Sequence, residues 1–431
     1  MKRIVLFAFA LILISLPSCR KKVCFQPDPW LRMANQKVVR TLQHLPDTAR
    51  MPRMIPQGDR KWKTVGIYDW TSGFWPGILW YMAEYSGDSG LLNQARHWTA
   101  YLEPVKKMPE KNHDLGFMMY CSFGNGFRIT GDSLYKQILL ETTDSLVTLF
   151  NPNAGTILSW PWQRKNRGWK HNTIIDNMMN LELLFWAAGN GRPQYKEIAI
   201  THALTTMKNQ IRPDYSVVHV VVYDDETGKV DSLKTWQGAN DESMWARGQA
   251  WGIYGFTMCY RETGMKEFLT TAQHLADHFI ERLPADRVPY WDFDAPGIPN
   301  EPKDASAAAI AASALVELSS FTPDKEKASF YLRSACHILA SLTGHYLAPE
   351  ESDAILDHSV GSKPQNSEVD VPIIYADYYF IEALMRLRNI TPNYSLGALR
   401  RSEPMDYLRL SRFRKITFLV QRQQTGKVDF S

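Results

Sequence analysis

Apolar residues recur with helical spacing in twelve stretches of this 431-residue chain. The stretches predict helices at 28–45, 72–86, 89–103, 115–130, 133–149, 176–190, 195–209, 245–262, 265–281, 304–319, 326–342 and 372–388. Short polar turns join five pairs of them, which predicts antiparallel hairpins. The turns are Ser86-Gly87-Asp88, Thr130-Gly131-Asp132, Gly189-Asn190-Gly191, Thr263-Gly264 and Thr322-Pro323-Asp324.

Hairpins with short turns at one end and long loops at the other predict an all-α fold, an (α/α)6 barrel with inner and outer rings of helices. The small residues of 305–309 fit an inner helix that packs closely. An open α-solenoid has the same hairpins but a steadier repeat length, and here the turns are unevenly spaced. Segments 217–223 and 155–162 are candidates for small β-hairpin loops.

Six aspartates stand just before, or at the start of, alternate helical stretches. They are Asp69, Asp114, Asp176, Asp241, Asp304 and Asp370. Aspartate accepts hydrogen bonds from free N–H groups at helix N-termini, so capping explains all six. If alternate helices form the inner ring, however, the six carboxylates converge on one mouth and form a candidate carbohydrate site.

The composition, with 45% hydrophobic residues and 14 tryptophans, fits one large domain, predicted at 28–390. Tryptophan in a helical protein most often packs in the core. Apart from Cys19, the cysteines are Cys24, Cys121, Cys259 and Cys336, and none has metal-ligand spacing. We therefore predict buried thiols and no metal site.

Residues 1–18 have the features of a targeting segment: Lys2-Arg3 precede an apolar run that is short for a membrane span. Leu16-Pro17-Ser18-Cys19 resembles a lipobox, so we predict lipidation at Cys19 followed by a tether at 19–27. An ordinary cleaved signal and an uncleaved anchor are the alternatives. The basic residues after Cys19 favour an exported, periplasmic protein that touches the membrane only through its lipid anchor.

The net charge of +4 does not indicate an acidic partner. Residues 1–18 carry two positive charges, and residues 391–431 hold eight basic and three acidic residues, so 19–390 has a net charge of −3. Nucleic-acid binding is therefore not predicted. The basic C-terminal extension, 391–431, is predicted to be disordered, with a membrane-surface or partner segment as the alternative.

The candidate chemistry lies near the long loops. His113-Asp114 and Asp176 open neighbouring inner helices, on either side of an aromatic loop with Trp160, Trp162 and Trp169. Arg247 and Trp251 are four residues apart on one helix face, which places a guanidinium suited to a carboxylate beside an aromatic plane suited to a sugar. Two carboxylates on neighbouring helices suggest acid and base catalysis, with capping as the alternative.

Four segments together resemble the unsaturated glucuronyl hydrolases of glycoside hydrolase family 88, and the similarity runs from Trp30 to Arg388. The segments are Asp69 to Gly77, His113 to Phe117, Asp176 to Leu181 and Trp245 to Gly252. The Arg247-Gly248-Gln249-Ala250-Trp251 element also resembles the unsaturated rhamnogalacturonyl hydrolases of family 105.

The resemblance implies an (α/α)6 barrel that uses no metal or organic cofactor. It implies that the residue matching Asp176 protonates C4 of the C4=C5 bond of an unsaturated uronic acid, that water adds at C5, and that the neighbouring sugar is released. The substrates implied are unsaturated uronic-acid-containing oligosaccharides made by polysaccharide lyases. Asp114 matches the neighbouring carboxylate that promotes protonation of Asp176.

The resemblance also implies a substrate-binding set of His113, His219, Gln237, Arg247, Trp70, Trp245 and Trp251, with packing as the alternative for His113. The segment His358 to Pro364 resembles the family loop that meets the sugar beyond the cleaved bond, so Ser359, Ser362 and Lys363 join the set. Because Lys363 directly follows Ser362, sulfated and unsulfated substrates both stay open. A noncatalytic sugar-binding lipoprotein on the same barrel is the other alternative.

Overall fold

The computed structural model describes residues 25–396, and each of the twelve predicted stretches forms helix there. The α-helices are α1 (Asp28–His44), α2 (Phe74–Ser86), α3 (Ser89–Ala100), α4 (Leu115–Met119), α5 (Asn125–Thr130), α6 (Ser133–Leu146), α7 (Gln163–Arg167), α8 (Leu181–Gly189), α9 (Tyr195–Gln210), α10 (Ala246–Thr263), α11 (Lys266–Arg282), α12 (Ala305–Phe321), α13 (Lys325–His345) and α14 (Ile374–Leu396). The predicted lipidation at Cys19 and most of the C-terminal extension lie outside the described residues.

Alternate helices pack side by side in a closed ring. The inner ring runs through α2, α4 with α5, α8, α10, α12 and α14, and α14 packs against α2. This last contact closes the barrel and excludes the open solenoid. Helix α12 is buried on every side from Ala305 to Ser319, as expected for an inner helix with neighbours all round. The outer helices α1, α3, α6, α9, α11 and α13 cover this ring.

Several helix ends differ from the predicted ones. The predicted helix 115–130 is interrupted by a π-helical turn, Tyr120–Gly124, and helix α8 is preceded by a 3₁₀ turn, Ile175–Asn180. Two outer helices end early, and further 3₁₀ turns at Glu103–Lys107 and Val147–Leu149 follow them. Helix α14 continues beyond the predicted end, because the apolar face extends to the buried Ile390.

Short antiparallel strands lie in the long loops. They are β1 (Arg50–Met54), β2 (Lys63–Gly66), β3 (Phe150–Asn151), β4 (Thr156–Ile157), β5 (His171–Ile174), β6 (Val220–Tyr223), β7 (Val230–Lys234), β8 (Ser359–Ser362) and β9 (Ser367–Val371). The predicted arm at 217–223 is present, but it belongs to a three-stranded sheet in which β5 is an outer strand. The prediction for 155–162 was only partly right, because the hairpin lies at β3 and β4 and the chain beyond Ile157 leaves it.

Helix capping, the alternative explanation for the six aspartates, applies to Asp304 but not to Asp114 or Asp176. Asp304 caps α12 by accepting a hydrogen bond from the Ser306 backbone N–H at 3.0 Å. Asp114 precedes α4 but makes no side-chain capping bond, and Asp176 lies within a 3₁₀ turn. Three other aspartates, each in a predicted turn, cap the outer helices α3, α6 and α13: Asp88, Asp132 and Asp324.

Cys121, Cys259 and Cys336 are all buried, as predicted, and Cys121 and Cys259 are free thiols. Cys24 lies outside the described residues. Among the helices of residues 25–396, none combines the length and the apolar character needed to cross a bilayer.

Gly73, which precedes α2, lies so close to another inner helix that a side chain at this position should destabilise the protein. A Cβ at this position would lie 2.1 Å from the backbone oxygen of Met118 in α4. We expect Gly73→Ala to lower the free energy of unfolding by about 1–3 kcal/mol, because backbone cannot yield as a side chain can. Urea denaturation of the purified protein measures this change.

Gly344, in the outer helix α13, provides the matched control, since a Cβ there would meet nothing within 4 Å. Gly344→Ala should leave stability unchanged or raise it by up to about 1 kcal/mol through helix propensity. Equal effects of the two substitutions would contradict the packing argument.

Candidate active site

Asp114 and Asp176 lie at the starts of neighbouring inner helices. Asp114 immediately precedes α4, and Asp176 is in the 3₁₀ turn that leads into α8 and packs against α4 and α10. Burial raises the pKa of Asp114 well above its ordinary value, and the charges of Asp176 and Asp69 raise it further. The three carboxylates therefore share one electrostatic environment, as the convergence hypothesis requires.

Asp176 has the protonation behaviour of a group that can donate and accept a proton near neutral pH. Burial raises its pKa to about 7, against the opposing influence of the Arg247 charge. Its Oδ2 atom is buried and has no hydrogen-bond partner among residues 25–396. A carboxyl group in this state can exchange a proton with a bound molecule.

His219 presents a fixed N–H group to Asp176. Its Nδ1 atom accepts from the backbone N–H groups of Trp236 at 3.2 Å and Gln237 at 3.3 Å. Because these donors require an unprotonated Nδ1, the ring proton of neutral His219 lies on Nε2. Nε2 is 3.8 Å from Asp176 Oδ2. Burial and the nearby Arg247 lower the pKa of His219 to about 3, which keeps the ring neutral.

His113 stands in a similar relation to the other carboxylate. Its Nε2 atom lies 3.4 Å from Oδ1 of Asp114. The ring is buried, which lowers its pKa to about 3. The structure therefore places His113 against the carboxylate, and not only in the packing at the start of a helix.

Arg247 is a buried cation whose position is fixed by the protein. Its Nη1 is 3.2 Å from Asp304 Oδ2 and also donates to the backbone oxygen of Val360, while Nη2 donates to Gly361 O at 2.7 Å. The guanidinium also lies over the Trp245 ring, 4.5 Å from its centroid. The Arg247 charge lowers the pKa of Asp176. Its N–H donors already bind the hairpin β8–β9, so a substrate carboxylate would have to share them.

The segment with the predicted serines and lysine is this hairpin and not an irregular loop. Ser359 is buried at the start of β8, whereas Ser362 and Lys363 are half-buried at its end. The hairpin meets the site through the Gly361 oxygen, which accepts from Gln237 Nε2 at 3.1 Å as well as from Arg247. The structure thus brings Gln237 and the hairpin together at the mouth.

Aromatic rings surround the same mouth. Trp70 packs against Phe117 with a centroid distance of 5.8 Å, and Phe117 packs against Trp251 at 5.3 Å. Trp245 lies against His219, with ring centroids 4.4 Å apart. Trp70 and Trp251 therefore pack against the first turn of α4, which follows Asp114, and Trp245 packs against the histidine that faces Asp176.

Tyr375 is absent from the residues predicted from the sequence, and Trp160 and Asp304 are absent from the predicted substrate-binding set. The Tyr375 ring lies 5.0 Å from Trp70 and 5.3 Å from the Arg247 guanidinium. Tyr375 stands at the start of the last inner helix. Other predicted site residues also lie at the starts of inner helices, and this shared position could have identified Tyr375 from the sequence. Trp160 lies 5.9 Å from His219 in the aromatic loop, a position that only the three-dimensional fold reveals.

Among the described residues, several buried polar atoms of this region have no hydrogen-bond partner, including Asp176 Oδ2, His113 Nε2, His219 Nε2, Trp251 Nε1, Ser359 Oγ and Tyr375 OH. Such atoms are rare in protein interiors and need an explanation when they occur together. An acid, N–H donors, aromatic walls and a fixed guanidinium suit a polar ring that carries a negative charge. Within residues 25–396, no three His, Cys, Asp or Glu side chains are placed to hold a metal ion.

Comparison with known proteins identifies the family of this chain. The model of Glycosyl Hydrolase Family 88 matches residues 39–317. An unsaturated glucuronyl hydrolase of Formosa agariphila is 46% identical over 329 residues, which is 75% of this chain and 80% of that protein. An unsaturated chondroitin disaccharide hydrolase of Streptococcus agalactiae is 33% identical over 75% of this chain and 83% of its own length.

A solved structure supports the same assignment. The crystal structure of an unsaturated glucuronyl hydrolase specific for heparin is 42% identical, covers 85% of this chain and 98% of its own, and superimposes with a TM-score of 0.80. Sequence and fold therefore agree over most of the barrel, so this chain is a glycoside hydrolase and belongs to glycoside hydrolase family 88.

Proposed function

We propose that this protein removes the 4,5-unsaturated uronic acid from the non-reducing end of glycosaminoglycan fragments produced by lyases. The observation that carries the proposal is a buried carboxyl pair in which Asp176 has a pKa of about 7 and an unpartnered oxygen. The names of the relatives, unsaturated glucuronyl and unsaturated chondroitin disaccharide hydrolases, support the same substrate class.

The first step is protonation of C4 by the Asp176 carboxyl group. The C4=C5 bond is conjugated with the ring oxygen, so the electron pair of the double bond takes the proton and leaves a cation at C5 that the ring oxygen stabilises. This step requires a protonated acid near neutral pH, and burial supplies it. Asp114 assists, because two carboxylates that share one site oppose simultaneous ionisation.

Water then adds at C5, and Asp176, now a carboxylate, takes the proton that the water releases. The resulting hemiketal opens by breaking the bond between C5 and the ring oxygen. C1 is left as a hemiacetal, which releases the neighbouring sugar. Asp176 thus ends each turnover protonated, and no further reactant besides water is consumed.

The proposed binding roles follow from position. Trp70, Trp245 and Trp251 provide apolar faces for the ring, and the buried Arg247 attracts the uronate carboxylate. We assign the hairpin with Ser359, Ser362 and Lys363 to the sugar beyond the cleaved bond, as the family resemblance implies, and its contacts with Gln237 and Arg247 support this assignment. Sulfated heparin or chondroitin fragments and unsulfated hyaluronan fragments are all candidates.

We also propose that the protein is exported and held at a bacterial membrane, on the periplasmic side, by a lipid on Cys19. The sequence Leu16-Pro17-Ser18-Cys19 after a short apolar run supports this proposal.

The catalytic proposal predicts loss of the ultraviolet absorbance of the C4=C5 bond when the protein is incubated with its substrate. A panel of unsaturated chondroitin, heparin, hyaluronan and rhamnogalacturonan disaccharides ranks the candidates in one experiment. We expect turnover of glycosaminoglycan disaccharides by the wild type and near-complete loss in Asp176→Asn, on the order of 10³-fold or more for removal of the acid.

The control is Asp88→Asn, the same change at an outer-helix cap where asparagine still caps. It should keep wild-type turnover, and both variants should keep the wild-type melting temperature. Turnover of rhamnogalacturonan alone would favour the family 105 activity. Binding without absorbance loss would favour the noncatalytic alternative, and an active Asp176→Asn would refute the role of Asp176.

The protonation state of Asp176 predicts the pH dependence. Because the acid must carry its proton to react, kcat/KM should fall as the pH rises through the pKa of about 7. Initial rates of absorbance loss at low substrate concentration, measured between about pH 5 and pH 9, report this fall in kcat/KM for the free enzyme. A rate that keeps rising above neutral pH would contradict proton donation by Asp176.

The anchoring proposal predicts that Cys19→Ser converts the protein from a membrane-bound to a soluble form. Full-length protein expressed in a Gram-negative host should incorporate labelled palmitate and sediment with membranes, whereas the variant should do neither. Cys121→Ser, at a buried thiol, is the matched control and should leave both unchanged. Membrane association of Cys19→Ser would contradict a lipid anchor at this residue.

A further inference from the structure

The side chain of Asn180 forms two hydrogen bonds that both bear on Asp114. Asn180 is the last residue of the 3₁₀ turn that contains Asp176, and it is fully buried. Its Oδ1 atom accepts from the backbone N–H of Phe117 at 2.8 Å. Its Nδ2 atom lies 3.0 Å from Nδ1 of His113. One carboxamide therefore connects the starts of two inner helices.

The first bond replaces a helix cap. Asp114 occupies the N-cap position of α4, and its backbone oxygen accepts the first helical bond from the Met118 N–H. An aspartate there normally accepts from the N–H of the second or third helical residue, which here are Gly116 and Phe117. Asn180 takes the Phe117 N–H instead, so the Asp114 carboxylate is free of the cap.

Gly116 makes room for this arrangement. A Cβ at this position would lie 2.3 Å from Oδ1 of Asn180 and 2.6 Å from its Cα. Glycine in the second helical position thus permits the amide to approach the helix end. The capping interaction comes from the neighbouring helix, and the sequence around Asp114 alone does not reveal it.

The second bond fixes the tautomer of His113. Because the Phe117 N–H can only donate, the atom that accepts from it is the Asn180 oxygen, and the other end of the amide is the NH₂ group. That group donates to Nδ1 of His113, so the proton of the neutral ring lies on Nε2. Nε2 faces Asp114 Oδ1 at 3.4 Å. An N–H donor, and not a lone pair, is thereby directed at the carboxylate.

We propose that Asn180 is a positioning residue for the acid pair: it caps α4 in place of Asp114 and holds His113 as the Nε2–H tautomer facing the freed carboxylate. The groups that face Asp114 are His113, Asp176 and Asp69, and His202 also faces His113. The catalytic part of this inference rests on the role of Asp114 proposed above, whereas the tautomer of His113 does not.

The tautomer is measured directly by long-range ¹⁵N–¹H correlation spectra of the full-length protein labelled at its 11 histidines. His113→Gln identifies the His113 signals by their loss. The wild type should show His113 as neutral with the proton on Nε2. A proton on Nδ1, or a doubly protonated ring at neutral pH, would overturn the proposal without any variant at Asn180.

Asn180→Asp tests the consequence. The new carboxylate still accepts from the Phe117 N–H but has no hydrogen to donate to His113, so His113 should change to the Nδ1–H tautomer. We expect kcat to fall by about tenfold or more with KM changed by less than about threefold, because a positioned group is lost and the substrate contacts remain. Asn180→Ala, which also removes the cap, should lose at least as much.

The matched control is Asn125→Asp, at a buried amide in α5 that donates to Cys121 O and the Tyr378 hydroxyl and, within residues 25–396, forms no hydrogen bond with a histidine. It should keep the wild-type kcat and His113 spectrum. Unchanged kcat in Asn180→Asp, or an unchanged tautomer in that variant, would overturn the positioning role. Failure of the proposed function would give a different result. The wild type would then leave the C4=C5 bond of every substrate intact, whereas the His113 spectrum could still show the proton on Nε2.

Discussion

The burial of two carboxyl groups in one mouth is the constraint on which the rest of the site depends. Asp114 and Asp176 are close enough that the charge of Asp176 raises the pKa of Asp114, and burial raises the pKa of both. Like charges in such a place do not ionise together, so the pair retains a proton at neutral pH. The neighbouring groups are compatible with this state: both histidines are neutral, and the Arg247 charge is paired with Asp304.

Buried polar groups are paired differently at the mouth and at the far end of the barrel. Arg261 lies fourteen residues after Arg247 on α10, about 21 Å along the helix. It donates to Glu317 at 2.6 Å, and Arg386 also pairs with Glu317 at 3.1 Å. Charged groups there are paired with one another. At the mouth, by contrast, Asp176 Oδ2 and the ring N–H groups of His113 and His219 have no hydrogen-bond partner among the described residues, so an acid and donors are available to a ligand.

The hairpin β8–β9 is held over the mouth at a cost in backbone strain. His358, Asn366, Glu368 and Asp370 all have positive φ angles without being glycine. Such conformations persist only when surrounding contacts over-determine them. Arg247 holds the β8 strand through its carbonyl groups, and Arg53 pairs with Glu368 in β9 and with Asp69. Arg247 and Arg53 each bond both to the hairpin and to an aspartate at the mouth, so these two cations link the hairpin to the acidic mouth.

Much of the barrel could be predicted because its signals are local: apolar spacing and polar turns located all twelve helical stretches. The start of α8 and the pairing of β5 could not, since the 3₁₀ turn before α8 and the three-stranded sheet depend on contacts with distant segments. The aspartates illustrate the same limit. Capping is a local rule, and it holds at Asp88 and Asp132, which bond to their own helices.

At Asp114 the local rule fails because Asn180 occupies the N–H that the rule assigns to the aspartate. A carboxylate at a helix start is therefore available for chemistry when another chain segment supplies the cap. Sequence identifies the position of such a residue, but only the tertiary structure shows whether the N–H is already taken. Asp304 shows the opposite outcome: it caps its own helix, α12, and also pairs with Arg247. Long-range hydrogen bonds such as that of Asn180 therefore decide which aspartates at helix starts act as caps and which keep their carboxylates free of the helix.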